Sequence, residues 1–225
     1  MTTFVPPPSR APTRPRGGGA LARRLILYDI SWKTYEDLLS ALAEQHLFLT
    51  YDDGTLEIMS PLPKHDRAGR LLARLIHVYT EERNIPIASF GMTTWRRKDR
   101  KKGLEADECF YVAHEPRVRG RDDISLPKDP PPDLAIEVDI TRSTLDKQKV
   151  YASLGFPEVW RYEDERLSVR VLRARGKYSV VAKSPSFPDL PLGEVERFMA
   201  LRHSMGETEL VRAFRQWVRK TFSQQ

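Results

Sequence analysis

The chain of 225 residues carries 37 Lys plus Arg against 31 Asp plus Glu, a formal charge of +6, with 40% hydrophobic and 30% charged residues. Mean hydropathy is −0.51, and no apolar run approaches the roughly 20 residues a membrane helix needs, which argues against an integral membrane protein. A single cysteine, Cys109, excludes an intramolecular disulfide and a cysteine-based zinc site, while a pI near 9.5 favours polyanionic partners.

Residues 1–24 hold Pro6, Pro7, Pro8, Pro12 and Pro15, then Gly17, Gly18 and Gly19, with arginines and no acids. Such a segment cannot build a core and is expected as a disordered basic tail. Residues 25–225 are expected as one domain. The tail lacks the apolar run of a secretory signal, so a cytoplasmic protein is expected. Ser31 can cap a helix in which Trp32, Tyr35, Leu38, Leu39 and Leu42 recur at helical spacing. Two β-prone runs, 47–51 and 55–59, flank Asp52-Asp53-Gly54, a strong hairpin signal. Helix 65–82 follows, its apolar face made by Ala68, Leu71, Leu72, Leu75, Ile76 and Tyr79.

Short strands are predicted at 85–90, 92–97 and 105–112, the last two separated by the basic stretch 98–103. A polar, proline-rich connection over 114–131 leads to the most apolar strand, 134–140. Ser143 or Thr144 can cap a helix ending near Leu154, stopped by Gly155 and Pro157. Strand 158–163, hairpin 167–174/177–182 and helices 192–201 and 207–222 complete the chain. Hairpins together with one strand–helix–strand unit, 133–163, predict a mixed β-sheet flanked by helices, an α/β (α+β) fold.

Chemistry concentrates on strand 133–140. Alternation puts Leu134, Ile136, Val138 and Ile140 on one face and Asp133, Ala135, Glu137 and Asp139 on the other. A solvated acidic face is the simpler explanation. Carboxylates on a half-buried central strand, however, need a cation or hydrogen bonds to stay ionised. Strand 105–112 adds a second acidic face, with Glu105, Asp107 and Cys109. Asp107 and Glu137 together offer the oxygen ligands that Mg²⁺ (or Mn²⁺) prefers. The five histidines are scattered, and no phosphate-binding glycine loop or nucleophile elbow is present. Lys147 and Lys149 open the next helix two positions apart, about 200° around its axis, so only one can face the acids. Tyr151 and Leu154 continue the Lys147 side, which puts Lys147 inward and Lys149 toward solvent.

Several segments together resemble the Uma-type family of proposed endonucleases, within the PD-(D/E)XK restriction-endonuclease-like superfamily. They are Thr55-Leu56-Glu57-Ile58-Met59-Ser60-Pro61 with His65, Gly103-Leu104-Glu105-Ala106-Asp107, Pro132-Asp133-Leu134-Ala135-Ile136-Glu137-Val138, and Asp146-Lys147 with Tyr151 and Gly155-Phe156-Pro157-Glu158-Val159-Trp160. The resemblance spans roughly 30–200. It implies a restriction-endonuclease-like mixed sheet and Mg²⁺-dependent hydrolysis of phosphodiester bonds in DNA. Asp107 and Glu137 would be metal ligands, with Lys147 as the third catalytic residue. Glu57, His65, Asp133 and Asp139 would form an outer shell. Two departures stand out: Ala106 replaces the superfamily's proline, and Asp139 occupies its usual lysine position, so the lysine has moved to the helix. The expected partner is nucleic acid, with no membrane and with homodimerisation open. The rival reading is an inactive nucleic-acid-binding or assembly domain of the same fold.

Overall fold

The computed structural model describes residues 23–60, 63–91, 93–139 and 145–223. In chain order the elements are β1 Arg23–Leu27, α1 Trp32–Ala41, β2 Phe48–Asp52, β3 Thr55–Ser60, α2 Pro63–Glu82, β4 Ala88–Ser89, β5 Thr94–Arg97, β6 Lys102–Glu105, β7 Glu108–Tyr111, α3 Glu115–Val118, β8 Leu134–Asp139, α4 Lys147–Leu154, β9 Glu158–Glu163, β10 Arg166–Arg173, β11 Lys177–Val181, α5 Leu192–Ala200 and α6 Glu207–Phe222. The strands form two sheets, a five-stranded one ordered β1-β3-β2-β6-β5 and a six-stranded one ordered β11-β10-β9-β8-β7-β4. The fold is therefore α+β with mixed strand directions, as expected, but its strands divide between two sheets.

The five-stranded sheet is antiparallel throughout. Its β2–β3 hairpin turns at Asp53 (φ 41°) and Gly54 (φ 99°), the paired positive angles that suit the twist of a two-residue hairpin. Helix α1 starts where the Ser31 hydroxyl accepts from the Thr34 amide at 3.0 Å. It lays Tyr35 on Tyr51, with stacked rings 4.8 Å apart, over Leu49 and Leu56. Gly103 in β6 is required here, because a Cβ at that position would collide with the Tyr35 ring and hydroxyl.

The six-stranded sheet is antiparallel except for β8 and β9, which run parallel and are joined through α4. One face carries Leu134, Ile136, Val138, Trp160 and Val169, packed with α2, α5 and α6 into the larger core. Behind the opposite face, Ala135, Val159 and α4 residues Val150, Tyr151 and Leu154 pack with Trp95 and Leu104 of the other sheet. Helix α4 thus sits in the angle between the two sheets.

Several expectations are corrected. The predicted strand 105–112 is two strands: β6 ends at Glu105 in the five-stranded sheet, and β7 begins at Glu108 in the six-stranded one. Asp107 lies on the bend between them, so Glu105, Asp107 and Cys109 do not share a strand face. Cys109 is instead fully buried, its Sγ accepting from Trp95 Nε1 at 3.3 Å. The strand expected at 85–90 is two residues long, and Ile85 and Ile87 pack against the larger core instead. Helix α4 is capped by Asp146, which accepts from the Gln148 amide at 3.2 Å; Ser143 and Thr144 lie outside the described residues. The described residues begin in β1 at Arg23, inside the segment expected as tail, pairing Arg23–Leu27 with Ser60–Leu56. The rest of that tail, residues 1–22, lies outside the described residues. No helix among the described residues is long and apolar enough to cross a membrane.

Candidate active site

Three separate segments meet at one point. In the β7–β8 ladder the last pair is Glu108 with Ile136, and one further step of the same register brings Asp107 level with Glu137. The Asp107 carboxylate accepts from the Val138 amide at 2.6 Å. Thus the chain bends out of one sheet and into the other where its carboxylate is anchored to β8. From α4, Lys147 Nζ donates to Glu137 Oε1, and Tyr151 Oη donates to Glu137 Oε2 at 2.8 Å. Lys147 and Tyr151 are four residues apart and share a helix face. Lys149 points away: its side chain is 75% exposed against 15% for Lys147. From the start of α2, buried His65 places Nε2 3.4 Å from Asp107 Oδ2.

Electrostatics follow from crowding these groups away from water. Burial, and then the neighbouring Glu137, pushes the Asp107 carboxyl well above the ordinary aspartate value, against the opposing pull of Lys147. Burial alone would lower the Lys147 pKa, but Glu137 and Asp107 outweigh it and hold the ammonium above its ordinary value. Burial likewise raises the Tyr151 phenol, with Glu137 and Asp107 adding to it, so this hydroxyl stays a proton donor. For His65 burial wins over the nearby acids; its pKa falls below 6.5 and the imidazole is neutral at pH 7.

The remaining candidates separate. Glu57 is buried on β3, 3.4 Å from Arg24, and adds to the negative field on Lys147. Asp139 lies in the same cleft as Glu137 and bonds Arg161 at 2.7 Å. Asp133 does not join the cluster. Its carboxylate accepts from the Val112 amide at 2.7 Å, the His114 amide at 2.8 Å and His114 Nδ1 at 2.5 Å. Four strand residues, about 13 Å, separate it from Glu137. It ties down the turn after β7, and the outer-shell expectation for it is corrected. The basic stretch before Asp107 is the tip of the β5–β6 hairpin, at the end of β6 remote from Asp107. Its charges pair locally, Lys102 with Asp52, Lys101 with Asp53 and Arg97 with Asp99.

Tyr151, Arg161 and Arg170 line the same cleft as Glu137 and are functional candidates to which the sequence alone assigned no role. Parallel register sets Arg161 beside Glu137, and antiparallel register sets Arg170 beside Val159, so both arginines share the acid-bearing face. The signal was the alternation of β9 and β10, which becomes readable only once their register with β8 is known.

The cleft on this face has a volume of about 450 Å³ and is lined by Glu137, Asp139, Lys147, Tyr151, Arg161 and Arg170, among others. Two adjacent carboxylates with a neutral imidazole beside them make an oxygen-rich donor set, the chemistry of a hard divalent cation that keeps several waters. Among the described residues, no group of three or more His, Cys, Asp or Glu is arranged to hold a metal.

Two sheets with helices packed on them, and a carboxylate pair braced by a buried lysine, define an α+β protein with an acidic, cation-compatible cleft. Residues 32–197 match the Uma2 family model, described as "Putative restriction endonuclease", and the chain belongs to that family. Among solved structures it is similar to a chain described as a "putative nuclease belonging to DUF820" from Anabaena variabilis. The identity is 16% and the TM-score 0.47, with 67% of this chain and 90% of that one covered. No curated protein matches the sequence.

Proposed function

We propose that the chain is a divalent-metal-dependent nuclease that hydrolyses phosphodiester bonds in DNA, with Asp107, Glu137 and Lys147 as its catalytic residues. The observation that carries this reading is that Glu137, Lys147 and Tyr151 line one cleft from a strand and a helix, while Asp107, on the bend before β7, accepts from the amide next to Glu137 and adds its charge to Lys147. Membership of a family described as restriction endonucleases supports it. Asp107 and Glu137 would hold Mg²⁺ or Mn²⁺; when bound, such a cation lowers the pKa of water and offsets charge on a phosphoryl group.

The protein's own groups have distinct parts. The Val138 amide and His65 fix the Asp107 carboxylate. Tyr151 fixes one Glu137 oxygen and leaves Lys147 on the other. The Lys147 ammonium, held charged by both acids, supplies a positive charge to the attacking water and to the oxyanion that develops on phosphorus. Glu57 extends the negative field around it, and Asp139 holds Arg161.

The engagement of both Glu137 oxygens by Lys147 and Tyr151 favours the second reading, an inactive nucleic-acid-binding or assembly domain. The test is DNA cleavage while Mg²⁺ or Mn²⁺ is titrated, with wild type beside Glu137→Ala. Metal-dependent cleavage that is lost in Glu137→Ala supports the nuclease. Wild-type protein that binds DNA without cutting it at any metal concentration supports the second reading.

A further inference from the structure

Glu137 and Lys147 take up only part of the cleft. Beyond them the floor is made by three neighbouring strands whose register sets residues side by side. Glu137 lies beside Arg161, which faces Ser168. Ala135 lies beside Val159, which faces Arg170. Arg170 is therefore two strands across from Glu137 and one side-chain repeat along. With about 4.8 Å between strands and about 3.3 Å per residue, the two backbone positions are about 12 Å apart. Both side chains reach into the space between.

The two arginines differ in how they are satisfied. Arg161 is committed, donating to Asp139 at 2.7 Å and to Glu163 at 2.9 Å. The Arg170 side chain makes no hydrogen bond or ion pair among the described residues, and its Nε is buried without a partner. Arg170 is half-buried, and a buried guanidinium N–H without a partner is costly and calls for an acceptor. Among the described residues none supplies one: Val159 lies beside it across the strands, while Asp146 and Glu163 act on it only through their charge. Burial and the Arg161 charge both disfavour the cation there, which an incoming anion would reverse. A guanidinium offers paired donors that match two phosphate oxygens.

We propose that Arg170 is a phosphate-binding subsite of the cleft, taking a backbone phosphate of the same DNA strand next to the one presented to Glu137 and Lys147. This rests on the nuclease reading for the identity of the strand. The strand would cross β8, β9 and β10 over the cleft floor. Arg161 stays bound to Asp139 and Glu163 and offsets part of their negative charge beside the phosphate. Arg170 here positions substrate; the bond-breaking groups remain those at Glu137.

The experiment is fluorescence anisotropy of a short labelled single-stranded DNA oligonucleotide with the full chain, in chelator and across a KCl series. Wild type is compared with Arg170→Met, Arg170→Gln and Arg170→Lys. Loss of one charge-assisted contact is expected to weaken binding about tenfold in the Met and Gln variants. The slope of log affinity against log salt should fall by about 0.7, and the Lys variant should restore that slope. Two uncharged variants of different polarity guard against one failing to fold, checked by thermal melting. Unchanged affinity and slope in a folded Met or Gln variant would overturn the subsite, as would absence of wild-type binding. Because no metal is present, the result is independent of cleavage. Arg170-dependent binding by a chain that never cuts DNA would retain the subsite and reject the nuclease. Cleavage with Arg170-independent binding would do the opposite.

Discussion

The two faces of β8 are built from alternating residues of one strand and solve opposite problems. Leu134, Ile136 and Val138 enter a dry core against α2, α5 and α6, where stability comes from filled volume. Asp133, Glu137 and Asp139 project the other way, where each carboxylate depends on a named partner: His114 and two amides, Lys147 and Tyr151, and Arg161. All but the last residue of the strand are buried. Burial therefore does not distinguish the faces; partner chemistry does. One face is tolerant of shape-conserving change and intolerant of voids. The other is intolerant of losing a partner.

The comparison can be broken from either side. The largest change in stability is expected on the apolar face: Ile136→Ala should cost about 3 kcal/mol in urea unfolding, since its fully buried side chain leaves a cavity. A cost below about 1 kcal/mol would mean that the core collapses onto the gap. Next, Asp133→Ala should cost about 2 kcal/mol by the same measurement, because two backbone amides and His114 lose their acceptor. Metal-dependent cleavage should survive this change, which would separate Asp133 from the proposed catalytic pair.

The smallest effect has the opposite sign. Asp107→Asn should stabilise the metal-free protein by about 1 kcal/mol, because the amide oxygen still accepts from Val138 while the buried charge beside Glu137 is gone. The pH dependence follows from linkage. The folded-state pKa of Asp107 is raised, so its contribution to stability is complete below the unfolded value near 3.8 and is lost as pH rises through the folded value. The melting-temperature gap between Asp107→Asn and wild type should therefore open as pH rises from 4 toward neutrality in chelator. A gap that closes over that interval would show that Asp107 is held ionised.

Much of this was legible before any coordinates. The period-two pattern of β8 separates core from cleft, and helical geometry separates Lys147 from Lys149, because both depend only on local spacing. The hairpin at Asp53-Gly54 follows from turn chemistry for the same reason. Features set by distant partners were not legible. Residues 105–112 read as one strand, yet β6 pairs with β2 and β5 while β7 pairs with β4 and β8, so the break at Ala106-Asp107 is fixed by long-range pairing. Asp133 looks like Glu137 in sequence and is distinguished only by His114 and Val112, some twenty residues earlier. β1 follows a Pro/Gly segment and becomes a strand by joining β3, more than thirty residues later. Arg170 carries no local mark, since its place in the cleft comes from register across β9.

The central claim is that the charged face of β8 carries out phosphodiester hydrolysis with Lys147 beside the acids. Its most direct test is the metal-dependent DNA cleavage rate of Lys147→Ala set beside Lys149→Ala. The two lysines share a helix turn and a charge, but only one touches Glu137. Lys147→Ala is expected to lower the rate at least about a hundredfold, the scale of losing one charge aimed at a developing oxyanion, with Lys149→Ala staying near wild type. Equal losses in the two variants, or full activity in Lys147→Ala, would contradict the claim.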